Sequence, residues 1–168
     1  MLRENKRLKT MCLAALGIAL YVALSMTVKI PLVGHASLDL GYIVLAVYCY
    51  YFGSVTGMMV GSVGCMFVSL LTSGWFPPGW IIGNMIIGFI VGMVGTESKS
   101  STAKRIVVVF FAVFLGIFCA KTIIECTLYS IPIAVKAPKS AVVFIVDAVV
   151  MSIGTWIAPM IKAQIRRE

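Results

Sequence analysis

Three ionisable side chains, Lys121, Glu125 and Asp147, stand inside long apolar runs of a 168-residue chain, where a charge needs a partner or a purpose. Lys121 and Glu125 are four residues apart, which places them on one helix face about one turn from each other. A lysine there can meet a carboxylate or phosphate, and the two acids can accept hydrogen bonds from ring N–H or hydroxyl groups. Asn84, which both donates and accepts, and Asp39 at the start of a helix extend the set. The three charges could instead form an ion-pair cluster that only holds two helices together. The two roles are compatible. Trp75, Phe76 and Trp80 flank Pro77-Pro78-Gly79. Their rings suit either a stacking wall for a flat heterocycle or an aromatic belt at a membrane surface. His35, the single histidine, is a further candidate contact from a loop. With one histidine and neither H-E-x-x-H nor G-x-S-x-G, the chain offers no metal site and no nucleophile–base pair, so no enzyme is expected.

The elements that must position these groups are membrane helices. Of all residues 61% are hydrophobic and 12% charged, against roughly 25% charged in a soluble domain. The apolar residues come in runs long enough to cross about 30 Å of hydrocarbon. Six spans are expected, in one domain over residues 1–168. They cover about 11–28, 40–52, 55–71, 80–94, 105–130 and 141–161, an all-α bundle. Gly53-Ser54 makes so short a turn that the second and third spans should pair antiparallel. Pro132 and Pro138 mark 131–140 as a break. The five cysteines show no C-x-x-C spacing and read as small buried hydrophobes.

The net charge of +8 is topological. With six spans, Arg3, Lys6, Arg7, Lys9, Lys99, Lys104, Arg105, Lys162, Arg166 and Arg167 fall on one side, and only Lys29, Lys136 and Lys139 on the other. The positive-inside rule then makes both termini cytoplasmic, and nucleic acid is not an expected partner. On that topology Asp39, Asn84, Glu125 and Asp147 all lie in the outer half of the bundle. Such a distribution fits a pocket open to the outside rather than a pore, which would want polar groups along its whole depth.

Small residues recur at helical spacing. Ala15, Ala19 and Ala23 form a stripe on the first helix, and Gly57, Gly61, Gly64, Gly83, Gly88 and Gly92 form others. The glycines suit packing within the bundle. The alanines suit either that or an external face for a partner, and spacing alone does not choose.

The chain resembles the substrate-binding S components of energy-coupling factor (ECF) vitamin transporters. The resemblance rests on length, six spans, the Ala15/Ala19/Ala23 pattern, the segments 30–42 and 74–80, and Gly83-Asn84. It implies a vitamin or related micronutrient bound near the outer surface under the outer loops. It also implies a membrane coupling protein and two ATPases as partners, no cofactor, a bacterial plasma-membrane location, and Ala15, Ala19 and Ala23 as the docking face. In such a system the chain topples in the membrane to deliver its ligand inward. The chain has no G-x-x-x-x-G-K-[ST] motif to hydrolyse ATP itself. Riboflavin, folate, a pyrimidine, a queuosine precursor and a pyridoxine-like compound all remain open as ligands. The alternatives are a stand-alone carrier or exporter using Glu125 or Asp147 as coupling acid, and a purely structural subunit. Against a carrier stand the outer-half bias and the lack of an obvious inverted repeat.

Overall fold

A computed structural model describes the backbone of residues 2–27, 29–31, 37–96 and 101–165, and the side chains of 8–27, 39–96 and 101–161. His35 lies outside the described residues. Among the described residues, the regular structure is helical apart from one short ribbon. α1 (Leu2–Thr27) is followed by β1 (Lys29–Pro31) and β2 (Ser37–Asp39), then α2 (Gly41–Ser73) and α3 (Pro78–Gly95). Thr102–Tyr129 is one rod made of α4 (Thr102–Val113), a π-helical stretch (Phe114–Lys121) and α5 (Thr122–Tyr129), and α6 (Ile133–Ile165) closes the bundle. Among the described residues, five helices are long and apolar enough to cross a membrane: Leu8–Thr27, Gly41–Ser73, Pro78–Gly95, Thr102–Tyr129 and Ile133–Ile161.

α2 reverses inside its own length. Gly53 adopts φ 79° and ψ −168°, a conformation open to glycine and strained for any residue with a Cβ. On a continuous helix Leu45 and Gly61 would sit about 24 Å apart. Here Leu45 Cδ1 lies 3.3 Å from where a Gly61 Cβ would stand, and Cys49 Sγ lies 2.5 Å from the same point on Gly57. The two arms of α2 therefore fold back on each other at the expected Gly53 turn.

α3 then packs antiparallel along the second arm. Cβ atoms on Gly57 and Gly61 would stand 2.8 Å from the carbonyl oxygens of Gly88 and Asn84 respectively. Side chains do not separate these backbones, which is how helices gain contact in lipid, where apolar surface alone gives them no reason to associate. Gly83 meets Gly116 in the same way on the other side of α3. The core holds Tyr21, Tyr42, Leu45, Ile87, Ile117 and Met151. Large apolar side chains such as Leu20, Phe89, Phe111 and Trp156 point outward, as a bundle surrounded by lipid requires.

Two expectations are corrected. The break expected over 131–140 is shorter and lies at 130–132, because α5 ends at Tyr129 and α6 begins at Ile133 and runs through Pro138. Proline's fixed φ suits a helix, and so near the helix start it leaves only one carbonyl without its donor. The first outer segment is also more than a loop. Lys29 pairs with Asp39, Ile30 with Leu38 and Pro31 with Ser37 in an antiparallel ribbon. Caps set the remaining ends: Pro78 opens α3 at its first turn, Gly74 closes α2 in the left-handed conformation, and the Ser101 hydroxyl accepts from Lys104 N at 3.2 Å.

Candidate functional site

Whether Lys121 and Glu125 face the core is decided by the π-helical stretch. An α-helix turns about 100° per residue, which would set Lys121 roughly 160° around from Arg105, on the lipid side. A π-helix has about 4.4 residues per turn, roughly 82° per residue. Eight such residues bring Lys121 back to within about 20° of the Arg105 face. Burial follows that geometry, since Arg105, Val109, Ala112, Ile117, Lys121 and Glu125 are all buried. The Thr122 hydroxyl lies 3.3 Å from the Ile117 carbonyl, five residues back, and 2.8 Å from the Ser140 hydroxyl of α6.

Once inside, the two charges separate. The Lys121 ammonium lies 3.7 Å from the centroid of the Trp80 ring, a cation–π contact between the rod and α3. Glu125 instead forms its ion pair with Lys136 near the start of α6. Asp147 is buried on α6, with Asp39, Lys121 and Tyr42 as its electrostatic neighbours. The Lys121/Glu125/Asp147 cluster expected from sequence is thus spread over three different contacts, although Lys121 still feels both acids. Asp147 was expected about two turns into its helix. It lies about four turns in, at roughly 1.5 Å per residue, because α6 starts eight residues earlier, and its neighbour Asp39 still places it near the ribbon end.

Asn84 is fully buried on α3, where its Nδ2 donates to the Trp80 carbonyl at 3.0 Å. Beside it stands Tyr42, absent from the sequence-based set and an electrostatic neighbour of both Asn84 and Asp147. The Tyr42 hydroxyl, Asn84 Oδ1 and Asp147 Oδ2 are buried and lack a hydrogen bond of ordinary geometry, although Tyr42 lies close enough to interact with both Asn84 and Asp147. Buried polar atoms are almost always well paired, so three imperfectly paired at one place mark a site. Tyr42 lies within the segment 30–42 that carries the resemblance but was not singled out as a site residue.

The other candidates divide. Asp39 accepts from Gly41 N at 2.8 Å and Ser25 Oγ at 2.6 Å, tying the α2 start to α1. Trp75 is half exposed and packs on Tyr129 at 5.1 Å between centroids, so it forms no common wall with Trp80. Ala15, Ala19 and Ala23 are all exposed and line an open groove with Phe67 and Leu71 of the second α2 arm. At the opposite end of the bundle the guanidinium of buried Arg105 lies 4.6 Å from the Tyr50 ring centroid.

Comparison with known proteins agrees with this architecture. The family described as the ECF-type riboflavin transporter, S component, matches residues 5–165. Among curated proteins, the chain is similar to a UPF0397 protein of Streptococcus thermophilus, 29% identical over 101 residues, 60% of this chain and 56% of that protein. A UPF0397 protein of Enterococcus faecalis is 33% identical over 97 residues, 57% of this chain and 53% of that protein. One from Vibrio atlanticus is 30% identical over 98 residues, covering 57% and 53%. The matches thus span about half the length of these curated relatives.

Proposed function

The chain belongs to the ECF-type riboflavin transporter S component family, and from that premise we propose that it is the substrate-binding subunit of a vitamin importer. It takes up a vitamin or related heterocyclic micronutrient at the ribbon end of the bundle and passes it inward with a transmembrane coupling protein and two ATPases. The observation that carries this reading is the set of buried polar atoms on Tyr42, Asn84 and Asp147 that lack a hydrogen bond of ordinary geometry, beside Lys121 and the Trp80 ring. Such a convergence of polar groups in an otherwise apolar interior is how a small-molecule site fixes a ligand's orientation.

The topology proposed with it is six passes with both ends of the chain on the cytoplasmic side. The reversal at Gly53 supports it, since the two arms of α2 then count as separate passes. The distribution of Lys and Arg supports the orientation. The docking face for the coupling protein is Ala15, Ala19 and Ala23, a strip of α1 that its own bundle leaves uncovered and that lets another helix approach closely.

Thermal unfolding of the detergent-purified chain across B vitamins, nucleobases and their precursors tests the proposal. A ligand that binds only the folded state raises the melting temperature by mass action. One strong hit in the absence of any partner protein is the expected result. A flat response from protein shown to be folded would shift the reading to a stand-alone carrier or a structural subunit.

A further inference from the structure

We infer that the buried hydroxyl pair of Thr122 and Ser140 holds the π-helical winding of the rod, and so keeps Lys121 and Glu125 turned into the bundle. Both are positioning residues, and they rest on the binding-subunit reading only in that the corner they shape is the proposed ligand site. Thr122 follows Lys121 directly, so the two side chains leave the rod about 100° apart. Lys121 reaches Trp80 of α3, whereas Thr122 Oγ1 lies 2.8 Å from Ser140 Oγ of α6. Thr122 is 6% exposed and Ser140 0%. A hydroxyl buried in an apolar interior is costly unless it is paired, and here each serves the other.

The pair and the winding depend on each other. Were Phe114–Lys121 wound as an α-helix, each of its eight residues would turn the rod about 18° further. Thr122 would swing by roughly 140°, away from Ser140, and both hydroxyls would lose their contact. Such winding is rare in proteins, so contacts from outside the rod must hold it. Gly116 against Gly83 of α3 holds the middle of the stretch, and Thr122 against α6 holds its end. Glu125 and Lys136, each about one turn along from its member of the pair, make a second tie between the same helices. That tie is the poorer gauge of rotation. Lys136 has a flexible stem and a side chain 24% exposed, so the ion pair survives a displacement that two short hydroxyls do not. The hydroxyl pair therefore sets the angle at which the rod stands against α6.

Trp80 emission from the full chain in detergent reads the outcome without a ligand. Of the three tryptophans, Trp75 and Trp156 are half exposed, and changing both to Phe leaves Trp80 as the sole emitter. A charge 3.7 Å from the ring centroid acts strongly on it in a low-dielectric interior. Lys121→Met then gives the emission maximum of Trp80 without that charge. In this background Thr122→Val, which keeps the shape and removes the hydroxyl, should move the maximum at least half way to the Lys121→Met value. Ser140→Ala should do the same, and Thr122→Ser, which keeps a hydroxyl, should retain the parent emission. A merely stabilising contact predicts a lower melting temperature in Thr122→Val and Ser140→Ala with the emission of the folded protein unchanged, and that result would overturn the inference. Loss of folding in both variants would overturn it too, because the pair would then be a requirement of the fold rather than a gauge of its winding. So would a Lys121→Met emission no different from the parent's. No ligand enters the measurement, so none of these outcomes bears on the binding-subunit reading, and a flat vitamin response leaves the inference standing.

Discussion

The alanine stripe of α1 and the glycine seam between α2 and α3 carry the same sequence signature, small residues four apart, and meet opposite fates. Gly57, Gly61 and Gly88 lie where backbones touch. Ala15, Ala19 and Ala23 face away from the bundle beside Phe67 and Leu71. The opposite face of α1, with Ala14, Gly17, Tyr21 and Ser25, is the one that packs inward. Small residues thus record that a helix comes close to something without recording what. Inside this bundle the close neighbour is another of its own helices. On the outer face of α1 nothing from the described chain fills the place.

Substitutions can sharpen or break that contrast. The largest effect is expected at the seam. A side chain on Gly88 would collide with the backbone of Gly57 and Met58, so Gly88→Val should lower stability by at least about 3 kcal/mol, the upper range of overpacking costs. Loss of a monodisperse peak and of cooperative melting in detergent is the readout. An intermediate effect is expected on the inward face of α1. Asp39→Ala removes the acceptor of the Gly41 amide and the Ser25 hydroxyl and should cost about 1–3 kcal/mol, seen as a lower melting temperature. The smallest effect on stability is expected on the outward face. Ala19→Leu should change stability by no more than about 0.5 kcal/mol and leave ligand-induced stabilisation intact. Uptake by the assembled transporter should nevertheless fall at least about tenfold, since a bulky side chain prevents close helix approach. Should Ala19→Leu abolish ligand binding as well, the stripe is internal packing and the contrast collapses.

Much of this architecture was legible beforehand. Runs of apolar residues, the Gly53 turn and helix ends expected near 28, 71, 94 and 130, found at Thr27, Ser73, Gly95 and Tyr129, follow from length, composition and turn chemistry, all local properties. The break after the fifth helix was read as far too long, because Pro138 signals a break without saying that it lies near the start of the next helix. The ribbon of Lys29–Pro31 with Ser37–Asp39 was invisible because strands of three residues carry no periodicity. Lys136 was read as a loop cation and turned out to be the partner of Glu125, which only the packing of α6 against α5 could reveal.

What the sequence by itself determined is the medium and the inventory. Hydropathy and charge made this a multi-pass membrane protein, and the cost of polar groups in lipid singled out Asn84, Lys121, Glu125 and Asp147. Only the tertiary structure decided which of them meet. Eight residues wound as a π-helix turn Lys121 from the lipid side to the core, and three separate helices bring Tyr42, Asn84 and Asp147 to one place. The reason is physical: helical winding and interhelical packing respond to contacts between residues far apart in the chain, and such contacts leave no mark on local spacing.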